Sequence, residues 1–276
     1  MTLDAGGRIR GHLEKLGRAG STQRKTLSSL RAMLNNAVAM EWIQRNPLAG
    51  EQLGPPPKKE KRIFTDAEVN AMLAAAPDRW WEALIQLAYT SGLRKSEMLH
   101  LRWDDIDTDA GFVQVQERRD ARVKAGMSEV PVFAWKPKTK TSARSVPVPP
   151  ETLSTLLRLN VWAGGSPYVF VPTSRLLHLD RLRREGKLHD HYRILTELNP
   201  KFRKIQLDAA AATGKKNWRI GTLHDLRKTF GSRAAAKGVP MTDLHKHMGH
   251  ASIATTSENY VQPDEGAAER LRRVFA

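Results

Sequence analysis

Four stretches of the chain hold the residue types that could grip an anion or move a proton. In Thr90-Ser91-Gly92-Leu93-Arg94-Lys95-Ser96-Glu97, Arg94 follows a glycine turn and opens a helix continuing through Met98, Leu99 and Leu101. An arginine there sits at the helix end that favours anions. Lys136-Pro137-Lys138-Thr139-Lys140-Thr141-Ser142-Ala143-Arg144 is a basic turn between two predicted strands. In His224-Asp225-Leu226-Arg227 the first and last residues are three apart, so a helix would turn them the same way. Gly249-His250-Ala251-Ser252 leads through a short helical stretch to Tyr260, one of only 4 tyrosines in the chain. Each stretch alone also has a plain reading: an exposed helix arginine, a solvated loop tip, a helix-surface pair, a packed tyrosine.

A metal site is a competing reading of His245, His247 and His250, which adjacent helical turns could bring together. No carboxylate or cysteine completes the set, and catalytic zinc needs a matched third ligand. His189 and His191 lie in a polar stretch and read as surface residues. Neither a metal nor another cofactor is expected.

The formal net charge of +16 and the pI of about 10.3 favour a polyanionic partner over a merely basic surface. An anionic membrane is the weaker candidate, because no basic amphipathic anchor stands out. With 40% hydrophobic residues over 276 positions, the chain can bury a core in one large domain or in a large and a small one. There is no cysteine for a disulfide or thiolate site, no spanning apolar run and no leader pattern, so a cytoplasmic protein is expected.

The elements that must position these groups fall into two segments. Residues 22–44 place Leu27, Leu30, Met33, Leu34, Ala37 and Val38 at helical spacing, with Asn46-Pro47 as the stop. Residues 54–62 (GPPPKKEKR) read as an extended, solvated linker. Beyond it, Thr65 with Glu68 predicts a capping box, and a second helix over about 80–90 is closed by Gly92. Residues 112–117, 129–135 and 144–148 read as three short strands of an antiparallel sheet. From about 150 the chain is mostly helical, apart from Tyr168–Val171, with 176–204 read as loop plus part of a helix. The class is therefore α+β: a mainly helical domain with a small three-stranded antiparallel sheet, preceded by a short helical segment.

In this order, TSGLRKSEMLHLRWDDID, KTKTSARSVPVP, TLHDLRKTF and MGHASIATTSENY resemble the boxes of the tyrosine recombinase (phage integrase) family. Any one box is weak; the ordered set over residues 90–260 is specific. The resemblance implies a DNA strand transferase with catalytic Arg94, Lys138, His224, Arg227, His250 and Tyr260, and with Glu97 supporting the arginine box. Lys138 fits the family register better than Lys140. The resemblance divides the chain into a partial core-binding domain (1–53), a linker (54–62) and a catalytic domain (63–276), together forming a C-shaped clamp on duplex DNA. It further implies double-stranded DNA as partner and a tetramer on paired sites. The chain departs from the family pattern in two places: Tyr260 follows His250 by one residue more than usual, and the first segment is short. Both leave room for an integrase-derived protein that binds DNA without cutting it. A type IB topoisomerase would use similar residues.

The chemistry suits these groups. Guanidiniums hold non-bridging phosphate oxygens with directed hydrogen bonds. A tyrosyl ester stores the energy of the broken phosphodiester, so the strand can be resealed without ATP. The tyrosine proton, with a pKa of about 10, must leave during attack, and His224 is the implied base. Lys138 would protonate the departing 5′-oxygen.

Overall fold

The computed structural model describes residues 5–50, 61–126, 128–138, 143–160, 164–189, 193–250, 252 and 256. Tyr260, Lys140, His191 and the tail from 257 lie outside them. The chain divides into two compact units, Met1–Lys61 and Arg62–Ala276.

The first unit holds helices α1 (Ala5–Lys15) and α2 (Gly20–Ala39). Leu27 and Leu48 are buried, whereas Met33, Met40 and Trp42 are exposed. α2 stops before the expected residue 44. Its end is a backbone closure: the Trp42 N–H donates to the Ala37 carbonyl (2.9 Å) and the Glu41 N–H to Val38 (3.0 Å). That pattern puts Glu41 at φ 58°, a left-handed position that costs a side-chain-bearing residue about 1–2 kcal/mol. Asn46 is not the helix stop. Its amide donates to the Arg31 carbonyl at 3.1 Å and its Oδ1 accepts the Leu48 N–H at 2.8 Å, folding the Pro47 turn back along α2.

In the second unit, α3 (Asp66–Ala74) begins with the expected capping box. The Thr65 hydroxyl accepts the Glu68 N–H (3.2 Å) and the Glu68 carboxylate accepts the Thr65 N–H (3.0 Å). Helix α4 (Arg79–Ser91) starts at Asp78, which caps Trp81, and ends at left-handed Gly92. Most of α4 is buried, including Leu84, Ile85 and Leu87, because α3, α6 (Pro150–Asn160) and α9 (Leu223–Ala236) all pack on it. Gly92 is required there on two counts. Its φ is +64°, and a Cβ would lie 2.5 Å from Cδ1 of Phe230 on α9.

The three-stranded antiparallel sheet exists with a different membership. Its order is β1 (Ile106–Asp107), β2 (Phe112–Val115), β5 (Arg144–Pro147), with Val113 opposite Val146. The strand expected at 129–135 is not part of it. β4 (Ser128–Val132) pairs instead with β3 (Ala121–Ala125) in a separate hairpin whose turn holds Gly126 at φ 65°. A local partner reached through a tight turn needs far less chain ordering than a distant one. β3 escaped notice because Ala-Arg-Val-Lys-Ala has weak strand propensity. The basic segment 136–143 therefore joins two sheets within an excursion between paired β2 and β5; it is not the tip of one hairpin.

The excursion is still tied to the core: the Tyr168 hydroxyl accepts the Phe133 N–H at 3.0 Å, and both residues are fully buried. Residues 173–213 are more helical than expected, with α7 (Thr173–Arg184) and α8 (Leu198–Thr213). Among the described residues no helix is long and apolar enough to cross a membrane.

Candidate active site

Glu97 anchors the site. It lies on α5 (Lys95–Leu99), directly after Arg94, and is 4% exposed. Its carboxylate accepts the Arg94 backbone N–H (2.7 Å) and the Arg94 guanidinium (2.7 Å). Arg144, the first residue of β5, adds a two-pronged contact at 3.1 Å to each oxygen. Arg227 stands 3.8 Å away. Burial alone would raise this carboxyl's pKa, but Arg144, the Arg94 N–H and the Arg227 charge outweigh it and hold the group below the usual range.

These guanidiniums also meet the C-terminus of α10 (Met241–Met248). The helix closes at left-handed Gly249, with the Gly249 N–H donating to Lys246 (3.0 Å) and the His250 N–H to His245 (3.3 Å). That closure leaves the last carbonyls pointing outward. Arg144 Nε donates to His247 O at 2.5 Å, Arg227 to Met248 O, and Arg94 to Gly249 O at 2.6 Å. Arg227 also donates to Gly92 O at 2.6 Å, at the end of α4. The carbonyl ends of two helices, each negative by its dipole, thus share the burial of Arg227 with Glu97. Arg227 is 1% exposed, so it forms the floor of the site and is no helix-surface residue.

His250 stands next to this cluster, partly buried, with Nδ1 2.9 Å from the hydroxyl of fully buried Thr256. Burial first, then the charges of Arg227 and Arg94, push its pKa down to about 4, so the ring is neutral at pH 7. His247 instead reaches Ser91 O (2.8 Å) and stacks on Phe230, while His250 turns to Thr256. Two of the three histidines of the competing metal reading, His247 and His250, thus turn to different partners.

His224, the second residue of α9, is exposed, one turn before buried Arg227. Its pKa is lowered, by desolvation first and then by Arg227 and Lys228. Lys138 is exposed on the excursion ahead of β5. Tyr260 and the spacing after Thr256 lie outside the described residues. The structure thus brings Arg94, Arg227 and His250 together around Glu97, leaves His224 at the rim and Lys138 on its own segment. Two contributors were missed by sequence reasoning. Arg144 was quoted only as part of a pattern, although a buried arginine beside a conspicuous Glu97 is the pairing that charge burial demands. Thr256 carried no signal.

The sequence pattern described as the phage integrase family matches residues 62–266. A tyrosine recombinase XerC-like protein of Caldanaerobacter subterraneus subsp. tengcongensis is 25% identical, covering 95% of this chain and 68% of its own length. The tyrosine recombinase XerA of Pyrococcus furiosus is 26% identical over 72% of this chain, and the integrase of Mycobacterium phage D29 is 26% identical over 84%. The matches span 57% and 56% of those two proteins, little more than half their length. The fold is shared with the Tn1549 transposon integrase in complex with circular intermediate DNA, at TM-score 0.69 and 18% identity over 99% of this chain and 87% of that one. It is also shared with a lambda integrase dimer bound to a COC′ core site, at TM-score 0.61 and 15% identity over 94% and 80%.

Proposed function

The chain belongs to the phage integrase family, and from that premise we propose that it is a site-specific DNA recombinase that cuts and rejoins strands through a 3′-phosphotyrosyl bond. The observation that carries the reading is the convergence of Arg94, Arg227 and neutral His250 on the end of α10, a cationic, partly buried seat suited to one phosphate. The Tyr260 oxygen attacks phosphorus and the bond to the 5′-oxygen breaks. The phenol proton passes to His224, and Lys138 gives a proton to the departing 5′-oxygen. Negative charge growing on the non-bridging oxygens is met by guanidiniums already in place, with His250 donating from its ring. Attack by another strand's 5′-hydroxyl reverses each transfer.

Residues 1–53 act in this reading as part of a helical core-binding domain joined by the 54–62 linker. Duplex DNA is the substrate, and a tetramer on paired sites is the working assembly. Ala267, Ala268, Leu271, Val274 and Phe275 give the tail a mainly apolar face at roughly helical spacing, suited to docking on a neighbouring copy. With a net charge of +16, binding should weaken steeply as salt rises, because phosphate contacts release counterions.

The test starts from a duplex selected by affinity out of a randomised library and nicked to trap cleavage. Mass spectrometry of an SDS-stable adduct should find DNA on the Tyr260 peptide. Tight binding with no adduct would reduce the protein to a non-cleaving binder. Relaxation of supercoiled plasmid lacking the selected sequence would point to a topoisomerase.

A further inference from the structure

We propose that Arg144 is a positioning residue of this site, holding the carbonyl end of α10 and the Glu97 carboxylate in one fixed register so that His250 and Arg94 meet the phosphate together. The inference rests on the recombinase reading and adds a residue to its machinery. It starts from an ordered pairing: His247, Met248 and Gly249 expose successive carbonyls, and Arg144, Arg227 and Arg94 take one each. The three arginines come from β5, α9 and the turn before α5, so the last turn of α10 is gripped from three separate elements. His250 begins one residue beyond the grip.

Arg144 is the member suited to positioning. Its side chain is 8% exposed and bonds inward to Glu97 and His247 O. It is also the only one of the three placed on the sheet, so it ties the sheet to α10. A bidentate carboxylate contact plus a third bond from Nε uses the guanidinium's planar fork. A lysine ammonium keeps the charge but cannot reproduce three directed bonds on two faces. Loss of this brace would let α10 shift against Glu97. A displacement of about 1 Å at a reacting centre can cost ~100-fold in rate.

The experiment separates geometry from charge and from folding. Arg144→Lys and Arg144→Ala are compared with wild type by DNA affinity, by single-turnover adduct formation on the selected duplex, and by NMR titration of the His250 ring in histidine-labelled protein without DNA. Arg144→Lys should lose roughly 10- to 100-fold in adduct formation with affinity changed less than about 3-fold. Its His250 titration should stay near wild type, because the cation remains. In Arg144→Ala the titration should move upward, since Arg144 is among the cations that depress it. Millimolar guanidinium should restore part of the lost cleavage in Arg144→Ala and none in Arg144→Lys, whose ammonium fills the place.

Wild-type cleavage by Arg144→Lys would overturn the proposal. So would a loss confined to DNA affinity, which would make Arg144 a binding group. If Arg144→Ala does not fold, the lysine variant carries the test. If wild type itself forms no adduct, the recombinase reading fails; the backbone amide resonances of Gly249 and His250 in Arg144→Lys without DNA then still decide the brace, since they should move if Arg144 holds the end of α10 and unchanged resonances would overturn it.

Discussion

The two sides of the site are built by opposite means. On the proposed phosphate side, Arg94, Arg144, Arg227 and Glu97 are wholly or partly buried, bonded to one another's elements and to two helix ends. On the proposed leaving-group side, Lys138 is exposed, on an excursion between paired strands β2 and β5. The first arrangement exists before DNA arrives, which is what electrostatic preorganisation requires. The second gains its meaning only with a strand bound beside it. Changes on the phosphate side should therefore cost stability and cleavage together, and changes at Lys138 or Tyr260 cleavage alone.

The largest effect belongs to Tyr260→Phe. It removes one oxygen and keeps the ring, so DNA binding should persist while covalent adduct disappears entirely. An adduct surviving in this variant would move the nucleophile elsewhere. Arg227→Met comes next and tests the other half of the contrast. Removing one partner from a buried charge network costs about 3–5 kcal/mol, since Glu97 and the Gly92 and Met248 carbonyls lose a donor or counter-charge. For a domain of this size that is a fall in Tm on the order of 10 °C, alongside loss of cleavage. Thermal unfolding at the wild-type Tm would break the comparison.

Lys138→Ala should slow cleavage by roughly 10²- to 10⁴-fold, the usual reach of general acid–base catalysis, and leave Tm unchanged. Sulfur in place of the 5′-bridging oxygen distinguishes proton donation from simple attraction. A thiol has a pKa of about 8.5, so the thiolate leaves without a proton and the variant should regain most of its rate. Lys140→Ala is the control, with a mild effect equal on both substrates. A larger, sulfur-rescued defect at Lys140 would exchange the roles of the two lysines.

The same contrast governs how much was legible in the sequence. Thr65 with Glu68, and Gly92 after the 80–90 helix, are local signals, and both elements formed where they pointed. Arg94, Arg227 and His250 were singled out through motif order, because each is followed or preceded by a glycine turn or helix start that advertises itself, and the structure places them together. Arg144 was passed over because its importance is tertiary. Nothing within a few residues of it says that Glu97, 47 positions earlier, is its partner. Strand pairing failed for the same reason: residues 129–135 have strand composition, but composition does not say which strand lies alongside. Met40 to Trp42 ended α2 early through a backbone closure that places a glutamate, where glycine is the usual sign, in left-handed conformation.

The smallest effect is a pH dependence, and it divides the two sides by histidine. His250 on the phosphate side and His100, which stacks on Trp135 at the foot of the Lys138 segment, both have pKa values pushed down to about 4 from 6.5. In each case burial is the first cause; neighbouring arginines add to it. As pH falls below 6.5 the unfolded chain takes up protons that the folded chain refuses, so stability should drop progressively from pH 6.5 towards 4. His100→Gln and His250→Gln should each flatten part of that slope. DNA separates them. A phosphate seated beside His250 supplies negative charge and raises its pKa, so binding should be accompanied by proton uptake between pH 4 and 6.5. Calorimetry in two buffers of different ionisation enthalpy reads that uptake directly. It should vanish in His250→Gln and survive in His100→Gln. Equal proton uptake in both variants would mean that the phosphate does not sit against His250, and the preorganised side of the site would have to be placed elsewhere.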